Sequence, residues 1–241
     1  MLMKLENPAI LSRVVEIISD LVTEVRIKFN ESGLSITAMD PANVSMVNFI
    51  LPKKSFSVFE SGEETLGINL DNLKKILKRC NPRSTLTMEK KENILNIQIY
   101  DRIKRSFNLS LIDIGTEDKE MPALEFSSRV ELSSQDFLDS IEDCLVVSDV
   151  ASFIIKDGNF ILEAKGLNSA MSKFSEDEAK IQAENCKSRY SLEYLQKFIK
   201  ASKLVDKTVL RFANDHPLRI DIKNEFMELY FLLAPRVETE D

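Results

Sequence analysis

The chain has 241 residues, 44% hydrophobic and 29% charged, with six glycines, three cysteines and one histidine. That is apolar material for one full core or two smaller ones, and it excludes a low-complexity or disordered chain. A formal net charge of −7 excludes DNA binding by the average surface, because phosphate would be repelled. Contact with DNA therefore demands positive charge gathered on one face. No run approaches the length of a membrane span, and the N-terminal MLMKLENPAI has no signal-peptide pattern, so a cytoplasmic location is expected. Cys80, Cys144 and Cys186 are far apart, in apolar periodic segments, with no Cys-x-x-Cys pair. They point to packing rather than to a disulfide framework or a zinc site.

In chain order, residues 3–6 read as a strand. Asn7-Pro8 then opens a helix over about 8–20, whose Ile10, Leu11, Val14, Ile17, Ile18 and Leu21 form an apolar stripe. Residues 25–29 form the next strand, and 30–33 turn it into GLSITAMDPANVSMVNFILP, 33–52. There Leu34, Ile36 and Ala38 alternate before Met39-Asp40-Pro41, and Val44, Met46, Asn48 and Ile50 after it. A period of two on both sides of Asp-Pro predicts two half-buried strands about a turn. Strands are predicted over 55–60 and 64–70, then a helix over 71–80 capped by Asp71 and closed by Asn81-Pro82. A hairpin follows, 85–90 with 94–100, and 105–112 closes the first half. The aperiodic run 115–124, with Glu117, Asp118, Lys119, Glu120 and Pro122, reads as a linker.

The second half replays the first. A strand at 129–132 leads to a helix capped by Ser133-Ser134 and running to about 147. Residues 153–155, a turn at 157–159 and 160–164 match 27–29, 30–33 and 34–38, 126 positions earlier. Leu70, Leu73, Lys75, Ile76, Leu77 and Lys78 match Leu192, Leu195, Lys197, Phe198, Ile199 and Lys200, 122 positions later. Both segments read Leu-x-x-Leu-x-Lys-apolar-apolar-Lys, and each precedes a hairpin, the second at 209–212 and 218–222. Two registers four residues apart imply duplication with a small deletion. Domains are accordingly predicted at 1–114 and 127–241, with a connector at 115–126. Each holds two helices and eight or nine strands, an α+β class in which antiparallel sheets carry helices on one face.

On the helix 71–80, Leu73, Ile76, Leu77 and Cys80 take the buried side, and Lys74, Lys75, Lys78 and Arg79 share the other. Its counterpart buries Leu195, Phe198 and Ile199 and exposes Lys197, Lys200 and Lys203, while the first helix adds Arg13. Such a face is either merely solvated or turned to a polyanion. Recurrence on matching faces of an otherwise acidic protein favours the polyanion.

The Met39-Asp40-Pro41 turn, the lysine-rich helix after LGINL and the terminal LAPRVE at 233–238 together resemble the sliding clamps of DNA replication, the proliferating cell nuclear antigen family of archaeal type. The resemblance covers essentially the whole chain. It implies the DNA clamp fold: two topologically similar domains, sheets outside, two helices per domain inside, and three subunits closing a pseudo-sixfold trimeric ring around duplex DNA. It places Arg13, Lys75, Lys78 and Lys200 on lining positions with Lys197 nearby, and Lys74, Arg79 and Lys203 on the same DNA-facing side. The third helix departs from that pattern, since Asp136, Asp139, Glu142 and Asp143 leave it without basic residues. Such a lining would attract phosphates without reading bases, because no aromatic or Asn/Gln readout surface accompanies it. The outside of the ring would stay negative.

Ring closure implies pairing of edge strands. The resemblance nominates 104–111 and 171–180, with Asp139 and Asp143 facing a neighbour's Arg83 and Arg105 beside Lys104; scattered surface charge is the alternative. It also gathers Met39, Asn43, Val44, Met46, Met121, Leu124, Pro217, Leu232, Leu233, Ala234 and Pro235 into a surface pocket. That pocket would receive short peptide motifs of a DNA polymerase, nuclease and ligase, and an ATP-driven clamp loader would be a further partner. The alternative for Leu232–Pro235 is a closing strand, and for Met39, Val44 and Met46 the end of a core. The tail with Glu238, Glu240 and Asp241 reads as disordered.

Catalytic chemistry has little to recruit. His216 is the sole histidine, no Gly-x-x-x-x-Gly-Lys loop exists, and the carboxylates over 136–143 lack a second cluster for a two-metal site. No catalytic residue, metal or cofactor is expected, and the chain is read as a non-enzymatic processivity clamp, nucleoid-associated, as a homotrimer or part of a heterotrimer. The alternatives are an interaction scaffold or heteromeric clamp subunit without productive encirclement, and then a metal-dependent nuclease.

Overall fold

The computed structural model describes residues 1–115 and 119–237. Glu117 and Asp118 of the expected linker, and the tail residues Glu238, Glu240 and Asp241, lie outside the described residues. The chain divides into two compact units: Met1–Pro41, Val47–Met121 and Asn224–Leu229 in one; Ala42–Met46, Pro122–Lys223 and Tyr230–Asp241 in the other.

The first unit runs β1 (Leu2–Leu5), α1 (Ala9–Ser19), β2 (Glu24–Asn30), β3 (Gly33–Met39), β4 (Ser45–Pro52), a 3-10 turn (Lys53–Ser55), β5 (Val58–Glu60), β6 (Glu64–Asn69), α2 (Leu70–Leu77), β7 (Thr85–Lys91), β8 (Ile94–Tyr100) and β9 (Lys104–Ser110). Its strands hydrogen-bond in the orders β5-β1-β7-β8-β9 and β4-β3-β2-β6. The β1–β5, β1–β7, β2–β3, β2–β6, β7–β8 and β8–β9 pairings are antiparallel. The β2–β3 hairpin requires glycine at its exit: Gly33 has φ +140, and a Cβ there would collide with the Leu51 carbonyl. Helix α1 buries Leu11, Val14, Val15, Ile17 and Ile18, α2 buries Leu70, Leu73 and Leu77, and the two helices pack together.

Three expectations are corrected here. The cap of α2 is Asn69, whose side chain accepts from the Asn72 N–H at 3.0 Å; Asp71 already lies inside the helix and pairs with Lys74. The predicted strand over 55–60 is shorter, because Ser55 ends the 3-10 turn and only Val58–Glu60 pairs. In β4 the core face is Val47, Phe49 and Leu51, each at most 2% exposed, and Asn48 and Ile50 are half-buried. Both faces of this strand are apolar, and the large Phe49 wins the core, leaving Asn48 to donate to the Thr37 hydroxyl at 2.7 Å.

The second unit runs β10 (Ser128–Ser133), α3 (Ser134–Leu145), β11 (Val150–Lys156), β12 (Asn159–Lys165), β13 (Ser169–Phe174), β14 (Ala179–Ala183), β15 (Cys186–Ser191), α4 (Leu192–Phe198), a 3-10 segment (Ile199–Leu204), β16 (Lys207–Phe212), β17 (Leu218–Lys223) and β18 (Glu228–Leu233). Its sheet orders are β14-β10-β16-β17-β18 and β13-β12-β11-β15. Adding nine to every strand number of the first unit reproduces both orders, so the duplication read from the sequence holds strand for strand. The core is aromatic: Phe153 meets Phe137, Phe160, Tyr190 and Phe212 with ring centroids 5.1–6.4 Å apart.

The single edge strand expected over 171–180 is two strands. Phe174 ends β13 in one sheet and Ala179 begins β14 in the other. Between them the Glu178 carboxylate accepts from the Ser175 N–H at 2.8 Å and its hydroxyl at 2.5 Å, which stabilises a turn that period-two counting overlooks.

Candidate nucleic-acid interface and docking surfaces

The first unit's helix pair supplies Arg13 from α1 and Lys74, Lys75, Lys78 and Arg79 from α2 and its C-terminal turn. They are not equivalent. Glu16 on α1 sits between the helices, with Oε2 3.0 Å from Arg13 Nη1 and Oε1 2.9 Å from Lys78 Nζ. The Lys78 hydrogen bond, followed by that of Arg13, holds the Glu16 carboxyl below the usual carboxylate range. Lys74 is spent inside the unit, donating to the Ser19 hydroxyl at 2.8 Å and pairing with Asp71 at 3.0 Å. Its predicted outward role is corrected: an i,i+3 acid and the end of α1 hold it down. Lys75 and Arg79 stand exposed.

In the second unit, α4 ends at Phe198 and the chain continues as a 3-10 segment. Lys197, Lys200 and Lys203 recur every three residues, so the tighter winding aligns Lys200 with Lys203 along one edge. Both are exposed. Lys197 is half-buried, 3.6 Å from Glu193 and 5.1 Å over the Tyr194 ring. Packed beside this segment, α3 is capped by Ser133, whose hydroxyl accepts from Asp136 N–H at 3.3 Å. It buries Phe137, Leu138, Ile141 and Cys144 and exposes Asp136, Asp139, Glu142 and Asp143. The acidic exception predicted for the third helix is present.

Of the residues nominated for a subunit seam, Asp139 and Asp143 lie on α3, Lys104 and Arg105 on β9, and Arg83 in the loop after α2. Arg83, Arg102, Ile103 and Arg105 line a cavity of about 680 Å³ with Asn81 and Asp101. Arg105 is engaged within its own unit, 2.5 Å from Asp101 and donating to the Arg79 carbonyl at 3.0 Å. Its Nε is buried without a partner. Asp101 accepts from the N–H groups of Ile103 and Arg102 and from Asn81. These bonds, the Ile103 N–H first, lower its carboxyl's proton affinity. Asp101 and Arg102 were missed from sequence, since their charges alternate in a turn like any solvated loop. Strands β9 and β13 each end a sheet, and exposed Tyr100, Ile103 and Met171 lie on or near them.

Of the predicted peptide pocket, Leu232, Leu233 and Met46 are 6%, 1% and 7% exposed: Met46 follows the core alternative, and Leu232 and Leu233 follow the closing-strand alternative as the end of β18. Val44, Leu124, Pro217, Ala234 and Pro235 remain partly open in the second unit, and Asn43 is exposed at φ 56. The Ala234 N–H donates to the Val44 carbonyl at 2.9 Å. The turn before Pro217 is fixed by the His216 carbonyl, which accepts from the Tyr190 hydroxyl at 2.6 Å and the Ser188 hydroxyl at 3.2 Å. Met39 and Met121, in the first unit, are half-buried. No described helix is long and apolar enough to cross a membrane. Among the described residues no three His, Cys, Asp or Glu side chains gather as a metal site.

Residues 1–120 match the family description "Proliferating cell nuclear antigen, N-terminal domain", and residues 120–236 match its C-terminal domain. The chain is 40% identical over 229 residues to DNA polymerase sliding clamp 1 of Thermococcus kodakarensis, covering 91% of this chain and 92% of that one. It is 36% identical over 236 residues to the DNA polymerase sliding clamp of Pyrococcus horikoshii, 94% of each. The crystal structure of proliferating cellular nuclear antigen from Entamoeba histolytica superposes with a TM-score of 0.91 at 26% identity, covering 98% of both chains. Both halves thus match in sequence and fold, and the chain belongs to the proliferating cell nuclear antigen family.

Proposed function

We propose that the chain is a DNA sliding clamp, a non-catalytic processivity factor that encircles duplex DNA and tethers a polymerase. The observation that carries this is the recurrence of one architecture in both units with exposed cations on or just past the second helix of each, Lys75 and Lys78 in the first and Lys200 with Lys203, on the 3-10 segment after α4, in the second. Relatives named DNA polymerase sliding clamp, matching over nine-tenths of the chain, support it. Lysines on helix backbones contact phosphate without base preference, and their attraction is weak and salt-screened. Retention on DNA then comes from closure of a ring of three chains. The free edges of β9 and β13 suit head-to-tail pairing, with Asp139 and Asp143 opposite Arg83 and Lys104 of the next copy; Arg105 acts from behind, holding the β9 turn. Clients dock short peptides on the partly open surface of Val44, Leu124, Pro217, Ala234 and Pro235, and an ATP-driven loader opens the ring. The protein works in the cytoplasm, at the nucleoid.

The test replaces Lys75, Lys78, Lys197 and Lys200 by Ala together and measures polymerase processivity on primed circular DNA with loader. Stimulation is abolished while molecular mass in solution stays that of the trimer. Unchanged stimulation would favour a scaffold that does not thread DNA.

A further inference from the structure

The second unit carries a cationic row on the solvent face of its sheet, away from the helices. In the register of β10, β16 and β17, Arg129 stands directly opposite Arg211, and Arg211 directly opposite Arg219. Their strand neighbours Val130, Leu210, Phe212, Leu218 and Ile220 point into the core, so the three guanidiniums share the outer face. Like charges directly opposite are destabilising, and here two carboxylates one pleat along hold them. Asp221 receives Arg211 Nε at 2.9 Å on one oxygen and Arg219 Nε at 2.5 Å on the other. Glu131 receives Arg129 at 2.9 Å, with Lys180 and Lys207 at 3.7 and 3.6 Å. Arg219 also lies over the Tyr230 ring, 4.4 Å from its centroid, which fixes its plane. Five cations thus surround two acids on a chain whose net charge is −7. Because Asp221 engages only Nε of Arg211 and Arg219, their terminal N–H groups are not spent on it.

We propose that this row is a docking site for an α-helix of a partner protein bearing carboxylates at i, i+3 or i+4, and i+7. Spacing selects the helix. Adjacent strands are about 4.8 Å apart, so three arginines span about 10 Å. Residues i and i+7 of a helix are about 10.5 Å apart, whereas three same-side residues of an extended peptide cover about 13 Å. Charge pattern selects protein over nucleic acid. Glu131 and Asp221 form a parallel row roughly 7 Å away, two residues along the strands. A polyanion charged every ~3.4 Å along each strand cannot cover the arginines without also meeting those carboxylates. A helix offers an acidic stripe one residue wide and can turn lysines toward Glu131 and Asp221. Guanidinium forks suit carboxylates in two-point contact.

The experiment uses the full chain and a fluorescein-labelled, alanine-based 18-residue peptide with glutamates at i, i+4, i+7 and i+11, read by anisotropy in 50 mM salt. R129Q/R211Q weakens binding at least tenfold while its melting temperature stays within about 4 °C of the parent, the shift expected for two surface ion pairs. R129E/R211E abolishes it and instead binds the same peptide with lysine for glutamate. K75A/K200A, which tests the DNA reading, leaves peptide affinity unaltered. The proposal is overturned if a peptide of the same composition with glutamates scattered round the helix binds equally, or if R129Q/R211Q binds as well as the parent. It also fails if a dT oligonucleotide of equal charge binds more tightly to the same arginines. Peptide-sensitive self-association through Asp136, Asp139 and Asp143 of a second copy would overturn it too.

Discussion

Replacing Glu16 by Gln removes the negative charge that Arg13 and Lys78 share at 3.0 and 2.9 Å, and leaves one acceptor oxygen where there were two. These are surface-type pairs, Glu16 being 33% exposed, and each contributes about 0.5 kcal/mol. The summed loss, about 1 kcal/mol, lowers Tm by roughly 2–4 °C in a chain of this size. The same change leaves one more net positive charge per chain on the α1–α2 surface. Each additional phosphate neutralised steepens the log–log salt dependence by about 0.9, so duplex affinity near 0.1 M salt rises roughly eightfold per engaged chain. The fold weakens while DNA binding tightens, a combination that simple misfolding would not produce. The pH dependence follows from the lowered folded pKa of Glu16. Its stabilisation is complete above the unfolded value of 4.5 and disappears as pH falls through the folded value, so the Tm gap between parent and E16Q closes in acid. Calorimetry from pH 3 to 7 and anisotropy of a labelled duplex from 50 to 300 mM salt measure both effects. A lower Tm with an unchanged or shallower salt slope would refute the claim that Arg13 and Lys78 face DNA.

Other outcomes follow from packing and burial. F153A loses about 3–5 kcal/mol in urea unfolding, because Phe153 is fully buried among four aromatic rings; a loss under 1 kcal/mol would show that the second core closes over the gap. G67A costs about 1–3 kcal/mol, since a Cβ on Gly67 runs into the Ile112 carbonyl, and an unchanged urea midpoint would contradict that approach. Burial pushes the Cys80 and Cys144 thiols up to about 11, leaving about one thiolate in a thousand at pH 8. Labelling of Cys80 and Cys144 in the folded protein by a thiol reagent, read by peptide mapping, should run roughly a hundredfold below that of an unperturbed cysteine, and complete reaction of either within minutes without denaturant would contradict it.

The duplication was legible because it repeats a spaced pattern, Leu-x-x-Leu-x-Lys, that constrains both burial and charge. Phe153 and Phe160 matched Ile27 and Leu34 because the spacing of apolar residues about the hairpin also repeats. Local competition was harder to read. Asn69 and Asp71 are both able caps, and only the extended backbone at Asn69 decides between them. Lys74 carries the same charge as Lys75, yet sits within reach of Ser19, 55 residues earlier, which no periodicity announces. The peptide surface suffered from strand parity. Leu232 and Leu233 look like paired surface apolars, yet both are core. The arginine row was invisible because Arg129, Arg211 and Arg219 become neighbours only through strand register.

The acidic α3 lying beside the lysines of the α4 segment also bears on motion. A uniformly positive wall would hold a phosphate backbone in deep wells, and each step along it would require breaking several attractions at once. Interleaved carboxylates raise the floor of those wells. In the ring proposed above, a duplex passing such a wall would meet low friction, at the expense of a grip that the protein would then obtain by topology.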